Sequence, residues 1–231
     1  MDAAWIWLGV GILLVGCIGS QVYTVLTYQR YRRRMAGTGH TGAQVARALL
    51  NAHGLDHIAV EEVKGFLSDG YDLKNKVIRL STAHFASSSL AALGIAAHET
   101  GHALQAGEAD RRRSVNPFVS PRAALMLVYV ASWFAVLAGA FLAVGWLSRW
   151  DMLLSVGALL FLWSIACSLL TVPVEVDASR RALVLLSSSG FVAESEEPVV
   201  RAVLRAAVLA YVSTAASALT QVFRGFLRRE D

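Results

Sequence analysis

Three stretches of this sequence, Ala3–Gln29, Ala123–Ser148 and Met152–Val174, contain no charged residue. Each exceeds the roughly 20 residues that a helix needs to cross a bilayer. In hydrocarbon a backbone must satisfy its own N–H and C=O groups, which a single segment achieves only as a helix. The apolar fraction of 55% and mean hydropathy of +0.50 are explained by these runs. An ordinary soluble domain is about 45–50% apolar. The expected fold class is therefore a mainly α, multi-pass membrane protein.

The basic residues set the expected orientation, because Lys and Arg near span ends stay on the cytoplasmic side. Only Asp2 precedes the first run, and Arg30, Arg32, Arg33 and Arg34 follow it. Arg111, Arg112, Arg113 and Arg122 precede the second run, a short link around Arg149-Trp150-Asp151 follows it, and Arg180 and Arg181 come after the third. These positions predict an N-terminus outside and residues 35–122 and 175–231 at the cytoplasmic face of the inner (plasma) membrane. The first run lacks a basic leading region and is long, so it reads as a retained anchor rather than a cleaved signal. Leu14-Val15-Gly16-Cys17 is similar to a lipidation box, but the apolar run continues through it, which favours packing roles for Cys17 and Cys167. The domain plan is an anchor over 1–34, a cytoplasmic domain over 35–122, two spans over 123–174, and a returning segment over 175–231.

Within the cytoplasmic stretch stands His98-Glu99-Thr100-Gly101-His102. Residues four apart on a helix lie one above the other, so His98 and His102 can aim two imidazole nitrogens at one Zn²⁺ with Glu99 alongside. A catalytic zinc takes three protein ligands, keeps one position open and makes hydroxide available near neutral pH. Glu99 is then the expected base. The flanks have helical spacing, with Leu90, Leu93, Ala97 and Leu104 recurring and Ser87 or Ser88 as N-cap. Gly94 and Gly101 lower helix propensity, which points to something packed close against the backbone.

The rest of the domain is small. Thr41–His53 reads as a helix capped by Thr41 and stopped at Gly54. His57–Val63 and Lys76–Leu80 read as strands with turn residues Ser68–Asp72 between them, giving an antiparallel β-hairpin or small sheet beside the zinc helix. Its edge either pairs with an extended substrate or merely covers the helix. His40, His53, His57 and His84 show no ligand spacing and are expected to be exposed or capping. Asp110-Arg111-Arg112-Arg113 is expected to hold the domain on anionic lipid.

The third ligand must come from elsewhere. Two spans separate His98 from Glu175, and an even number returns the chain to the same side of the bilayer. Glu175 is thus the expected third metal ligand. Asp177 is an alternative ligand or a group that orients a histidine. The final run, Val199–Phe223, is interrupted by Arg201 and Arg205; it reads either as an interfacial or re-entrant helix or as a fourth span. Tyr211 on it is a candidate oxyanion donor, against a simpler packing role.

Ile95–Gln105 and Pro173–Ala182, taken together, resemble the bacterial YugP-type family of neutral zinc metallopeptidases. The resemblance extends from Gly39-Thr41-Gly42 to Leu204-Arg205-Ala206-Ala207, nearly the whole chain. More distantly the sequence is similar to HtpX and CAAX prenyl proteases, membrane enzymes with a zincin-like helical core. Those resemblances imply His98, His102 and Glu175 as ligands and Glu99 as base. One departure stands out: those relatives carry an Asp four residues after the ligand Glu, where this chain has Ser179.

The expected activity is a membrane-embedded zinc metalloendopeptidase with one Zn²⁺ per chain. Its partners are the lipid bilayer and a polypeptide substrate, membrane-embedded or membrane-proximal, with no nucleic acid. The rival is a non-proteolytic membrane scaffold, chaperone-like, with a structural or vestigial zinc site.

Overall fold

The computed structural model of the chain describes residues 3–65, 68–111 and 121–212. It is mainly helical, with one three-stranded sheet. Two compact units divide the chain: one comprises Thr24–Arg122 with Pro173–Val208, the other Met1–Tyr23, Ala123–Val172 and Leu209–Asp231.

In the second unit, α5 (Pro121–Ser148) and the first half of α6 (Asp151–Ser188) are long and apolar enough to cross a membrane. Ala138, Ala158, Phe161 and Ile165 are buried between them. Glycines permit the close approach: a Cβ on Gly145 would lie 2.8 Å from the Leu154 backbone nitrogen, and one on Gly157 would lie 2.9 Å from that of Leu142. Small residues at a helix contact let backbones meet where lipid offers no hydrophobic drive to associate. Outward-facing Trp133, Trp146, Leu147, Trp163 and Leu169 are exposed. A continuous apolar exterior of that kind suits hydrocarbon rather than water. The first apolar run forms a single helix, α1 (Ala3–Tyr31), with Ile12, Val15, Ile18 and Val22 exposed among its described side chains.

The other unit is built on a buried core of Val45, Leu49 and Leu50 from α2 (Gly42–Ala52), Ile78 and Leu80 from the sheet, and Leu90, Leu93, Ala97 and Leu104 from α4 (Leu90–Arg111). Helix α2 begins as the sequence indicates. Thr41 accepts a hydrogen bond from the Gln44 amide while Gln44 accepts one from the Thr41 amide, a reciprocal box that satisfies two donors at the helix start. His53 ends it, and Gly54 follows at φ +69°.

The sheet corrects the expected antiparallel hairpin. Strands β1 (Ala59–Val63), β2 (Gly70–Asp72) and β3 (Val77–Ser81) lie in the order β1-β3-β2. Strand β1 pairs with β3 in parallel, Val60 opposite Ile78, and β2 pairs with β3 antiparallel, Tyr71 opposite Ile78. The connection between β1 and β3 is long enough for the crossover that parallel pairing needs. Part of the predicted turn, Gly70–Asp72, is itself a strand. The turn lies just beyond it, where Asp72 accepts the Lys74 and Asn75 amides and Lys76 adopts φ +53°.

Helix α6 does not stop at Val174. It continues through Pro173 to Ser188, so Glu175, Asp177, Ser179 and Arg181 project from a regular helix. Helix α7 (Glu197–Val212) adds Val200 and Leu204 to the core. The remainder of the 199–223 run lies outside the described residues.

Candidate metal centre

Helix α4 starts where two segments meet. The Leu90 amide donates to the Arg34 carbonyl at 2.7 Å and the Ala36 amide to that of Ser88 at 2.8 Å. Ser89 is the cap, its hydroxyl accepting the Ala92 amide at 3.2 Å, one residue beyond the serines expected from sequence. Thr100 is buried, and its hydroxyl donates to the Ala96 carbonyl one turn back. His98 and His102, four residues apart on this helix, bring their rings together.

There they meet helix α6. His98 Nε2 lies 3.2 Å from Glu175 Oε2, His102 Nε2 lies 3.3 Å from the same oxygen, and the two Nε2 atoms are 3.2 Å apart. All three residues are candidate metal ligands by type and proximity. A tetrahedral zinc with bonds of about 2.0–2.1 Å sets its ligand atoms about 3.3 Å apart. The donor set therefore fits that ion in both chemistry and spacing. His98 and Glu175 are 2% and 5% exposed, and His102 is half-buried.

One glycine explains why α4 and α6 can come this close. At Gly101 a Cβ would stand 2.7 Å from the Ala178 carbonyl oxygen. At Gly94 one would just touch Val200 of α7, 3.4 Å away. The close packing expected from these glycines is thus found at Gly101, against α6, while Gly94 makes only ordinary contact with α7.

Each imidazole is held at its other nitrogen. Ser179, four residues beyond Glu175 and on the same face of α6, places its hydroxyl 3.2 Å from His98 Nδ1. Gln105, one turn beyond His102, places Oε1 3.0 Å from His102 Nδ1. Asp177 reaches neither histidine. It accepts hydrogen bonds from Gln105 Nε2 at 2.7 Å and from Arg181 Nε at 2.7 Å. The Asp of more distant relatives is thus matched in position by Ser179, a neutral hydroxyl. Gln105 went unrecognised in the sequence, although its place three residues after His102 puts it on the same helical face.

Glu99 is 5% exposed. Burial pushes its carboxyl above the usual carboxylate range, with the His98 and His102 imidazoles pulling the other way and the Glu175 and Asp69 carboxylates adding to the rise. Burial alone would depress His102, but its hydrogen bond to Glu175 and that carboxylate's charge outweigh burial and raise the imidazole to about 9.

A second cluster corrects the reading of His84, on the short helix α3 (Thr82–Phe85), as exposed or capping. It is fully buried, with Nδ1 2.8 Å from Asp69 Oδ2 and 3.0 Å from the Ser81 hydroxyl. Its ring meets that of Tyr28 edge-on, 5.2 Å between centroids. Asp69 also accepts the Ser81 amide at 2.7 Å. Local spacing carries no trace of this cluster because its members come from separate segments. His40 and His57 are exposed, and His53 is a cap whose Nδ1 lies 2.9 Å from the Leu49 carbonyl. The side chains of Tyr211 and Cys17 lie outside the described residues, and Cys167 is a buried free thiol.

Residues 5–229 match a family described as "Putative neutral zinc metallopeptidase". The chain is also 38% identical over 198 residues to the "Putative membrane protease YugP" of Bacillus subtilis (strain 168), covering 85% of this chain and 84% of that one. No solved structure matches. Both similarities run through the paired histidines of α4 and the Glu175 region of α6, and the chain belongs to this zinc metallopeptidase family.

Proposed function

We propose that this protein is a membrane-embedded zinc endopeptidase whose active site is formed by His98, His102 and Glu175 as metal ligands and Glu99 as general base. The observation that carries the proposal is the spacing of three ligand atoms, 3.2–3.3 Å apart, beside a buried glutamate. A zinc ion held there supplies a Lewis acid for the scissile carbonyl and lowers the pKa of water. Glu99 accepts the proton of the attacking water and returns it to the leaving amine, steps that benefit from a carboxyl raised toward the working pH. Ser179 and Gln105 keep the two rings aimed, and burial of the ligands keeps bulk water from competing.

The long apolar helices α5 and α6 and the name of the Bacillus relative support a bilayer setting. The basic residues around the apolar runs support a cytoplasmic-facing site in the inner membrane. Membrane-embedded or membrane-proximal polypeptides are then the substrates within reach.

Purified protein incubated with an unstructured polypeptide, with and without chelator, tests the proposal against a Glu99→Gln variant. Wild type should cleave in a chelator-sensitive manner. Glu99→Gln should retain zinc and lose at least about a hundredfold in rate. Equal behaviour of the two proteins, or zinc binding without any cleavage, would favour a scaffold that holds zinc structurally.

A further inference from the structure

We propose that Gln105 is a positioning residue of the metal centre, setting the tautomer and orientation of His102, and that Asp177 and Arg181 act on the centre only through it. This rests on the metal-ligand roles proposed above for His98, His102 and Glu175.

The orientation of the Gln105 amide follows from its neighbours. Its Nε2 end has two partners, the Val174 carbonyl at 3.0 Å and Asp177 Oδ2 at 2.7 Å. Both can only accept. Turning the amide over would set its oxygen against two acceptors in a buried place, since Gln105 is 5% exposed. The nitrogen must therefore face Val174 and Asp177, leaving Oε1 toward His102 Nδ1 at 3.0 Å. A carbonyl oxygen cannot donate, so Nδ1 carries the proton. In the neutral imidazole the lone pair then sits on Nε2, the atom turned toward Glu175 and His98.

The brace behind this amide is ionic and closes on itself. Asp177 Oδ2 also accepts from Arg181 Nε at 2.7 Å, and the two terminal nitrogens of Arg181 donate to the two carboxylate oxygens of Glu108 at 2.7 and 3.1 Å. The chain runs His102, Gln105, Asp177, Arg181, Glu108, leaving α4, crossing to α6 and returning to α4. Arg181 pairs with the Asp177 carboxylate, and on its Nδ1 side His102 faces the neutral Gln105 amide, while Nε2 faces Glu175. The hydrogen-bonded route from Arg181 and Asp177 to His102 passes through the one amide that touches the ring.

Zinc affinity measured by competition with a chelating dye separates the possibilities. Gln105→Ala should bind zinc about 10–100-fold more weakly than wild type, the usual cost of losing such a partner. Asp177→Ala should show a smaller loss, and the double variant should be no weaker than Gln105→Ala alone, because Asp177 has no other path to the ring. In the zinc-loaded wild type, ¹⁵N-histidine NMR should show a slowly exchanging proton on His102 Nδ1, and in Gln105→Ala that proton should remain but exchange fast with water. Asp177, with an exposed side chain rim, tests the relay even where Gln105→Ala folds poorly. Affinity of Gln105→Ala within about twofold of wild type, or losses that add in the double variant, would overturn this role for Gln105 while leaving the zinc site standing. Wild-type protein that takes up no zinc would overturn the proposed function itself.

Discussion

Gly101 and Ala178 meet so closely that a Cβ on the glycine would lie 2.7 Å from the alanine's carbonyl oxygen and 3.2 Å from its Cα. The obstacle is backbone, which cannot swing aside as a side chain can. This contact lies between His98 and His102 on one helix and between Glu175 and Ser179 on the other. It sets the separation that lets Glu175 reach both rings. Gly101→Ala should therefore do more harm than its single methyl suggests. The expected cost is about 1–3 kcal/mol of stability from overpacking. Zinc affinity should fall at least about tenfold as Glu175 is displaced. Chemical denaturation and dye competition read the two effects; a variant matching wild type in both would mean that α6 is not held by this contact.

Zinc uptake should release protons. His102 is raised to about 9 by its hydrogen bond to Glu175 and that carboxylate's charge, which outweigh burial. An imidazole must give up its Nε2 proton before it can ligate a metal. The sign follows: above about pH 9 the ring is already neutral, and below it every ion bound must displace a proton. Apparent affinity should then weaken by up to about tenfold for each pH unit below that value. Calorimetry at pH 7.5 in buffers of different ionisation enthalpy should count close to one proton released from this ring per zinc. Heats that are independent of the buffer would show that His102 is neutral before the ion arrives.

The capping box of α2 offers a control that shares no residue with the candidate metal centre. Thr41 and Gln44 satisfy each other's amides at 2.9 and 3.3 Å. Thr41→Ala should cost about 1 kcal/mol. Zinc affinity should not change, because α2 meets α4 through the apolar face of Leu49 and Leu50 rather than through its histidines. A loss of zinc binding in this variant would show that the domain cannot loosen without releasing the metal.

What the sequence disclosed about the site is what helical periodicity and span parity can carry. His98 and His102 four apart, and Glu175 two long apolar runs later, are joined by rules that need no coordinates. The α2 cap was readable because its partners are near in sequence, and Gly101 stood out as a small residue on an apolar helical run, although its partner Ala178 did not. The mixed sheet was not readable. Gly70–Asp72 has the composition of a turn, and only its pairing with β3 makes it a strand. Nor was the burial of His84, whose partner Asp69 lies fifteen residues away across that sheet. Asp177, expected as an alternative ligand or as a group that orients a histidine, touches neither histidine directly. Its charge and its place near Glu175 suggested a histidine partner, but it sits two residues from Glu175, on another face of α6, and meets Gln105 and Arg181 instead. Ser179, four residues from Glu175, shares its face and touches His98.

The buried Asp69–His84 pair makes a prediction about acid. Burial by itself would raise the Asp69 carboxyl, but hydrogen bonds from His84 and Ser81 and the charge of His84 outweigh it and hold the carboxyl below its usual value. In the unfolded chain Asp69 returns to about 3.9. The folded value is the lower one, so the ionised carboxylate's contribution is fully present above the unfolded value and is lost as pH falls from there through the folded one. Asp69→Asn should lower stability by about 1–3 kcal/mol at pH 7, because the Ser81 amide and the buried His84 ring lose their charged acceptor. The gap between variant and wild type should begin to close as pH drops below about 4, where Asp69 of the unfolded chain takes up its proton, and close further as pH falls toward the lower folded value. Other carboxylates titrate there too, among them Asp72, which the Asn75 amide and side chain and the Arg79 guanidinium hold down at about 2, so the difference between the two proteins is the quantity to follow. A gap that stays constant from pH 7 to pH 3 would mean that the Asp69 charge contributes nothing and that only the shape of its side chain matters.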